Sequence, residues 1–251
     1  MLVPSRRRLR IEVWIVLGLS LGQSAVYSIV QLLDKMTRAP LAEATSTLNR
    51  SQSPREYFDL IYQLLDIFFA LVPVALVIYF LSEHRTAAAA CTKLGFNFAR
   101  PGKDLLQGVG LAALIGIPSL GLYAAGRALG ITTAIIPSAL DSYWWTVPVL
   151  ILSAIRHGIV EEVIVVGYLL DRLPKLGWAI PAAIFASSML RGSYHLYQGF
   201  GPFIGNAVMG VIFALIYLKT RRVMPLVVAH ALLDIVAFVG FSLFGKAIGL
   251  G

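Results

Sequence analysis

The sequence predicts an all-α fold, a polytopic transmembrane bundle of seven to eight helices, and three observations lead there. Hydrophobic residues make up 58% of the 251 and charged residues 14%, against about 25% charged in soluble domains, and the mean hydropathy is +0.78. Apolar stretches near the roughly 20 residues that a helix needs to cross a bilayer recur along the chain. The basic residues fall in alternate connections between those stretches. That distribution accounts for the net charge of +8 without a basic face for nucleic acid, which is excluded as a partner.

The first window, 11–33, follows four arginines, Arg6, Arg7, Arg8 and Arg10. It resembles a secretory signal only superficially. The apolar stretch is longer than a signal core and lacks a small-x-small cleavage site, so an uncleaved anchor is expected. Gly18-x-x-x-Gly22 within it, and Gly201-x-x-x-Gly205 later, match a close helix-contact pattern of low specificity. The segment 40–57 is polar and bounded by Pro40 and Pro54, hence a loop or surface helix, and 35–57 is a candidate lid if the site opens outward.

The second window, 58–81, carries Asp59 at its start, where an acid suits a helix N-terminus, and Asp66 two turns on, read as a packing or hydration partner. The connection 82–103 is basic (Arg85, Lys93, Arg100, Lys103) and the third window is 104–126. The fourth, 143–170, exceeds one crossing and is either a tilted helix or two segments broken at Gly158. The fifth, 178–190, runs on toward His195; the sixth and seventh are 201–218 and 224–244. With Arg172 and Lys175 after the fourth and Lys219, Arg221 and Arg222 before the seventh, the positive-inside rule places the N-terminus in the cytoplasm of a multi-pass protein of the plasma membrane. One integral membrane domain, 1–251, is expected, with its polar core at 143–240. The single cysteine, Cys91, excludes an intrachain disulfide and any multi-cysteine metal site.

Chemistry concentrates in that core. Glu161 and Glu162 sit together in apolar sequence, where an ionised carboxylate is costly unless paired, hydrated or protonated. Three polar pairs stand four residues apart and so on one helix face: His157 with Glu161, Arg191 with His195, His230 with Asp234. Brought together, they would enclose a hydrated pocket. A buried glutamate can take a proton from water, and a histidine can stabilise an oxyanion or protonate a leaving amine. Glu161, His195 and His230 are equally a three-ligand zinc set with an open position for water, so zinc is the one cofactor weighed and none is required. The competing readings are structural glue between helices, and proton-coupled transport.

The order Glu161-Glu162 with Gly167, then His195 within Arg191-Gly-Ser-Tyr-His, then His230-x-x-x-Asp234 resembles the CPBP family, the CAAX-protease and bacteriocin-processing intramembrane endopeptidases. The resemblance covers roughly 143–240. It implies that Glu161 activates the water with Glu162 in support, that His195 and His230 position the water or stabilise the oxyanion, and that Asp234 orients His230 or contacts the tetrahedral intermediate, the orienting role being favoured because an ionised aspartate cannot donate to an oxyanion. Two positions depart from the family pattern: the expected arginine is Val166, and the expected phenylalanine is Arg191. Together they suggest one relocated cation, reaching the glutamate pair from the helix of His195. The implied substrate is a membrane-associated protein or peptide within the lipid bilayer; the alternative is an inactive chaperone or regulator of the same fold. Neither His-Glu-x-x-His nor Gly-x-Gly-Asp occurs, which argues against site-2 and aspartyl types. Ser193 with His230 as base would make a serine protease but leaves both glutamates unexplained.

Overall fold

The computed structural model describes residues 5–82 and 86–244; Arg85 lies outside the described residues. α1 (Arg6–Gly18) starts where Ser5 Oγ accepts from the Arg8 N–H, and α2 (Leu21–Arg38) leaves it at a 50° bend. The bend depends on Gly22, whose missing Cβ would stand 2.7 Å from the Leu17 carbonyl oxygen. α3 (Glu56–Ala70) continues into α4 (Val72–Ser82) across a break just before Pro73, which offers no N–H to the turn behind it. α5 (Ala87–Leu94) is capped by Thr86 and ends on Gly95 at φ 63°. No Cβ is tolerated there, since it would lie 2.4 Å from the Arg222 Cα. α6 (Pro101–Ala128) follows.

α7 (Thr146–Glu161), a π-helical segment (Glu162–Tyr168) and α8 (Leu169–Lys175) form one unbroken rod, about 45 Å long at 1.5 Å per residue. Val163, Ile164, Val165 and Val166 are fully buried, so this part of the rod is apolar all round and occupies the centre of the bundle. Around it pack Val74 and Val77 of α4, Leu94 of α5, Ala183 of α9 (Ile180–Ser193), Phe213 of α10 (Phe200–Thr220) and Leu226 of α11 (Met224–Phe244).

Each of the seven predicted windows is helical, and the fold is an all-α bundle. Among the described residues, length and apolarity alone pass three helices, Glu56–Ser82, Pro101–Ala128 and Phe200–Thr220, and a fourth if the bent α1–α2 pair is one span, fewer than the seven to eight crossings expected. The reasons are physical: α9 has 14 residues and the α7–α8 rod carries charge at its centre.

Two strands correct the expectation for the polar connections. β1 (Thr45–Arg50) lies in the segment read as a loop or surface helix, and pairs in parallel with β2 (Ala134–Ala139), Thr45 opposite Ala134 and Arg50 opposite Ala139. Side-chain bonds hold the sheet against the bundle: Lys35 Nζ donates to Ser46 Oγ (2.5 Å) and Tyr197 O (2.6 Å), Ser153 Oγ to Asn49 Oδ1 (3.2 Å), and Arg127 Nη1 to Ala42 O (2.9 Å). This is the sheet end of the molecule. At the opposite, basic end Arg222 grips Asp104 at 2.5 Å, Lys93 meets Asp171 at 3.0 Å, and Arg172 reaches Glu12 at 3.4 Å and the Phe80 carbonyl at 2.8 Å.

Candidate active site

Glu161 closes α7 and Glu162 opens the π segment, halfway along the central rod. A π turn widens the helix by one residue, a distortion that recurs at functional sites. Adjacent residues on a helix diverge by about 100°, so the two acids fan apart and meet different partners.

Glu162 is fully buried. Its Oε1 accepts from Arg191 Nη2 at 2.5 Å and lies 2.7 Å from His230 Nδ1. The guanidinium comes from the last turn of α9, is itself fully buried, and stacks over the Phe213 ring at 5.4 Å. Val166, where the family pattern has its arginine, is packed in the apolar core.

Glu161 is 6% exposed, and its Oε2 accepts from the Tyr194 hydroxyl at 2.6 Å. The same oxygen stands 3.9 Å from His195 Nε2 and 3.9 Å from His230 Nε2. Those separations are too long for hydrogen bonds. His195 Nε2 is buried without a hydrogen-bond partner, while Nδ1 faces the Gln198 side-chain amide at 3.4 Å. His195 lies in the tight turn beyond α9 rather than on the helix, so its predicted stacking on Arg191 is replaced by a tilted contact with the Tyr194 ring at 4.8 Å.

His157 and Asp234 complete the cluster differently from the four-residue spacing. His157 Nδ1 meets Asp234 Oδ2 across helices at 3.2 Å, and Asp234 stands 3.9 Å from His230 Nε2. The hydrogen-bond partner that fixes the His230 ring is therefore Glu162. Ser193 is unsuited to attack, because its Oγ donates to the Met189 carbonyl at 2.6 Å within its own helix. Among the described residues no group of three His, Cys, Asp or Glu side chains is arranged to hold a metal ion, so Glu161, His195 and His230 do not fit zinc in this geometry and no step is routed through one.

Sequence reasoning passed over Tyr194 and Gln198. Tyr194 stands inside the motif and its hydroxyl is the closest polar contact of Glu161; its signal was a phenol in an apolar span immediately before a histidine. Gln198 becomes relevant only through the turn that folds it back on His195.

Residues 143–236 match the family model described as type II CAAX prenyl endopeptidase Rce1-like. The match covers the part of the chain that carries the motif resemblance, so the likeness to this protease family rests on two comparisons. Neither a curated protein nor a solved structure matches the chain.

Proposed function

We propose that the chain is an intramembrane endopeptidase that hydrolyses a peptide bond of a membrane-associated protein or peptide with a water activated by Glu161. The observation that carries this reading is that Glu161 Oε2 stands 3.9 Å from both His195 Nε2 and His230 Nε2. Each gap is of the size that a single water oxygen, about 2.8 Å from both atoms, would bridge.

The tautomers follow from the outer partners. Glu162 can only accept, so His230 carries a proton on Nδ1 and donates it to Oε1, which holds the ring with Nε2 toward the reacting water. The Gln198 amide donates toward His195 Nδ1, so His195 Nε2 bears hydrogen and points into the site. Glu161 takes a proton from water as the oxygen attacks the scissile carbonyl. The His195 N–H stabilises the oxyanion, and the proton passes to the departing amine as the C–N bond breaks. Tyr194 and the Arg191–Glu162 pair hold the reacting groups in place.

Prenylated CAAX peptides are one substrate to test, given the family match. Purified protein in liposomes, presented with an S-farnesylated peptide and with single-span peptides, is expected to release a fragment. Glu161→Ala should lower that rate by about 10²–10⁴-fold and His195→Ala by about 10²–10³-fold, in line with losing a general base and an oxyanion donor. Undiminished cleavage by both variants sinks the assignment.

A further inference from the structure

Exposure rises in steps along one stripe of the site. Glu162 is 0% exposed and Glu161 6%, whereas the Asp234 and His157 side chains reach 22% and 27% one turn nearer the sheet end. Beyond them lies Arg156, half-buried, then Ser153 and the Asn49 side chain of β1. These groups form a polar seam from the glutamates toward the sheet end, and Arg156 lies on it, next to His157 in the chain and in contact with buried Ser153.

Arg156 is not accounted for by the fold. Its Nη2 makes one long bond to Ser153 Oγ at 3.4 Å, and its Nε is buried without a hydrogen-bond partner. Among the described residues no carboxylate comes near enough to pair with it, although the charges of Glu161, Asp234 and Asp66 bear on it. A guanidinium keeps its charge, so within an apolar span it needs an anion or water around it. By contrast Arg191, equally deep in sequence terms, is fully buried on its own carboxylate.

We propose that Arg156 receives a carboxylate of the peptide substrate, on the sheet-end side of the scissile bond. The inference rests on the protease reading of the site. Five residues separate Arg156 from Glu161 on α7, a rise of about 7.5 Å with the two side chains about 140° apart around the axis, so the long guanidinium must reach round the helix toward the site. An extended peptide advances about 3.3 Å per residue, so the carboxylate belongs two to three residues from the scissile carbonyl. A free C-terminus and an acidic side chain offer the same planar acceptor to the guanidinium fork.

Equilibrium binding to the full chain in lipid nanodiscs tests this without turnover. The probe is a fluorescent S-farnesylated dodecapeptide in three forms: C-terminal acid, C-terminal amide, and amide with a final glutamate. The wild type is expected to bind one of the two acidic forms at least tenfold more tightly than the plain amide. If the C-terminal acid alone gains, the terminus is the ligand; if the glutamate form gains, any nearby carboxylate serves. Arg156→Gln should abolish the preference and Arg156→Lys restore part of it. Equal binding of all three forms, no binding of any, or a preference that survives Arg156→Gln overturns the proposal. Equal weakening of every form by Arg156→Gln also overturns it, assigning the residue to helix packing or lipid. Loss of the protease reading looks different: no cleavage, with the acid preference intact.

Discussion

At the scale of single residues, the site depends on one ion pair that neither helix could keep alone. Glu162 is fully buried and is held through Oε1, while Oε2 has no hydrogen-bond partner. Removing one member of a buried pair leaves an uncompensated charge and costs about 3–5 kcal/mol, whereas replacing both by apolar groups is often neutral. Arg191→Ala should therefore lower stability by about that amount and free the His230 ring, abolishing cleavage. The Arg191→Met, Glu162→Met double variant should recover most of the stability and none of the activity. Denaturant unfolding in detergent, run alongside the cleavage assay, checks both. If Arg191→Ala unfolds like the wild type, the pair is not what holds Glu162.

At the scale of elements, the distance between α7 and α11 decides whether His230 reaches the glutamates. Gly158 sets it. A Cβ there would stand 2.9 Å from the Val227 carbonyl oxygen and 3.3 Å from the Ala231 nitrogen, both backbone atoms that cannot step aside. Gly158→Ala should push the helices apart, cost about 1–3 kcal/mol as overpacking does, and slow cleavage more than it weakens binding. Gly110→Ala on α6, with open space around the new methyl, is the neutral control. A Gly158→Ala protein with wild-type kcat would show that α11 tolerates the shift. Sequence left two readings of the fourth window, one tilted helix or two segments broken at Gly158, since glycine in an apolar helix weakens it. The helix runs through, and the glycine serves close approach instead. The apolar windows and the Glu161, Glu162, His195 and His230 constellation were legible because hydropathy and isolated charge are local signals. The π segment was not, because Val163 to Val166 look alike in any helical register. Nor was the sheet, since β1 is polar but for Leu48, and β2 contains Pro137; its pairing comes from partners 89 residues apart, Thr45 with Ala134.

At the scale of the whole molecule, the ends differ in charge and in what they seal. The basic end gathers Arg6, Arg7, Arg8 and Arg10 of α1 with Lys93, Lys103, Lys175, Lys219, Arg221 and Arg222, cross-linked through Asp104 and Asp171. The sheet end holds fewer cations, and two of these are engaged: Lys35 by Ser46 and Tyr197, Arg127 by backbone carbonyls. Positive-inside bias counts the uneven load of the flanks, so the basic end is expected in the cytoplasm and the sheet end outside. The more exposed members of the cluster, His157 and Asp234, lie on its sheet-end side, so in that orientation substrate and fragment would exchange with the outer side. Single-cysteine labelling decides it. In a Cys91→Ser background, Thr45→Cys, exposed on β1, should react with an impermeant maleimide on intact cells. Lys103→Cys and Lys219→Cys, exposed on α6 and α10, should react only after permeabilisation. Labelling of all three from one side would break the two-ended arrangement; the reverse pattern would keep it and move the mouth of the site to the cytoplasm.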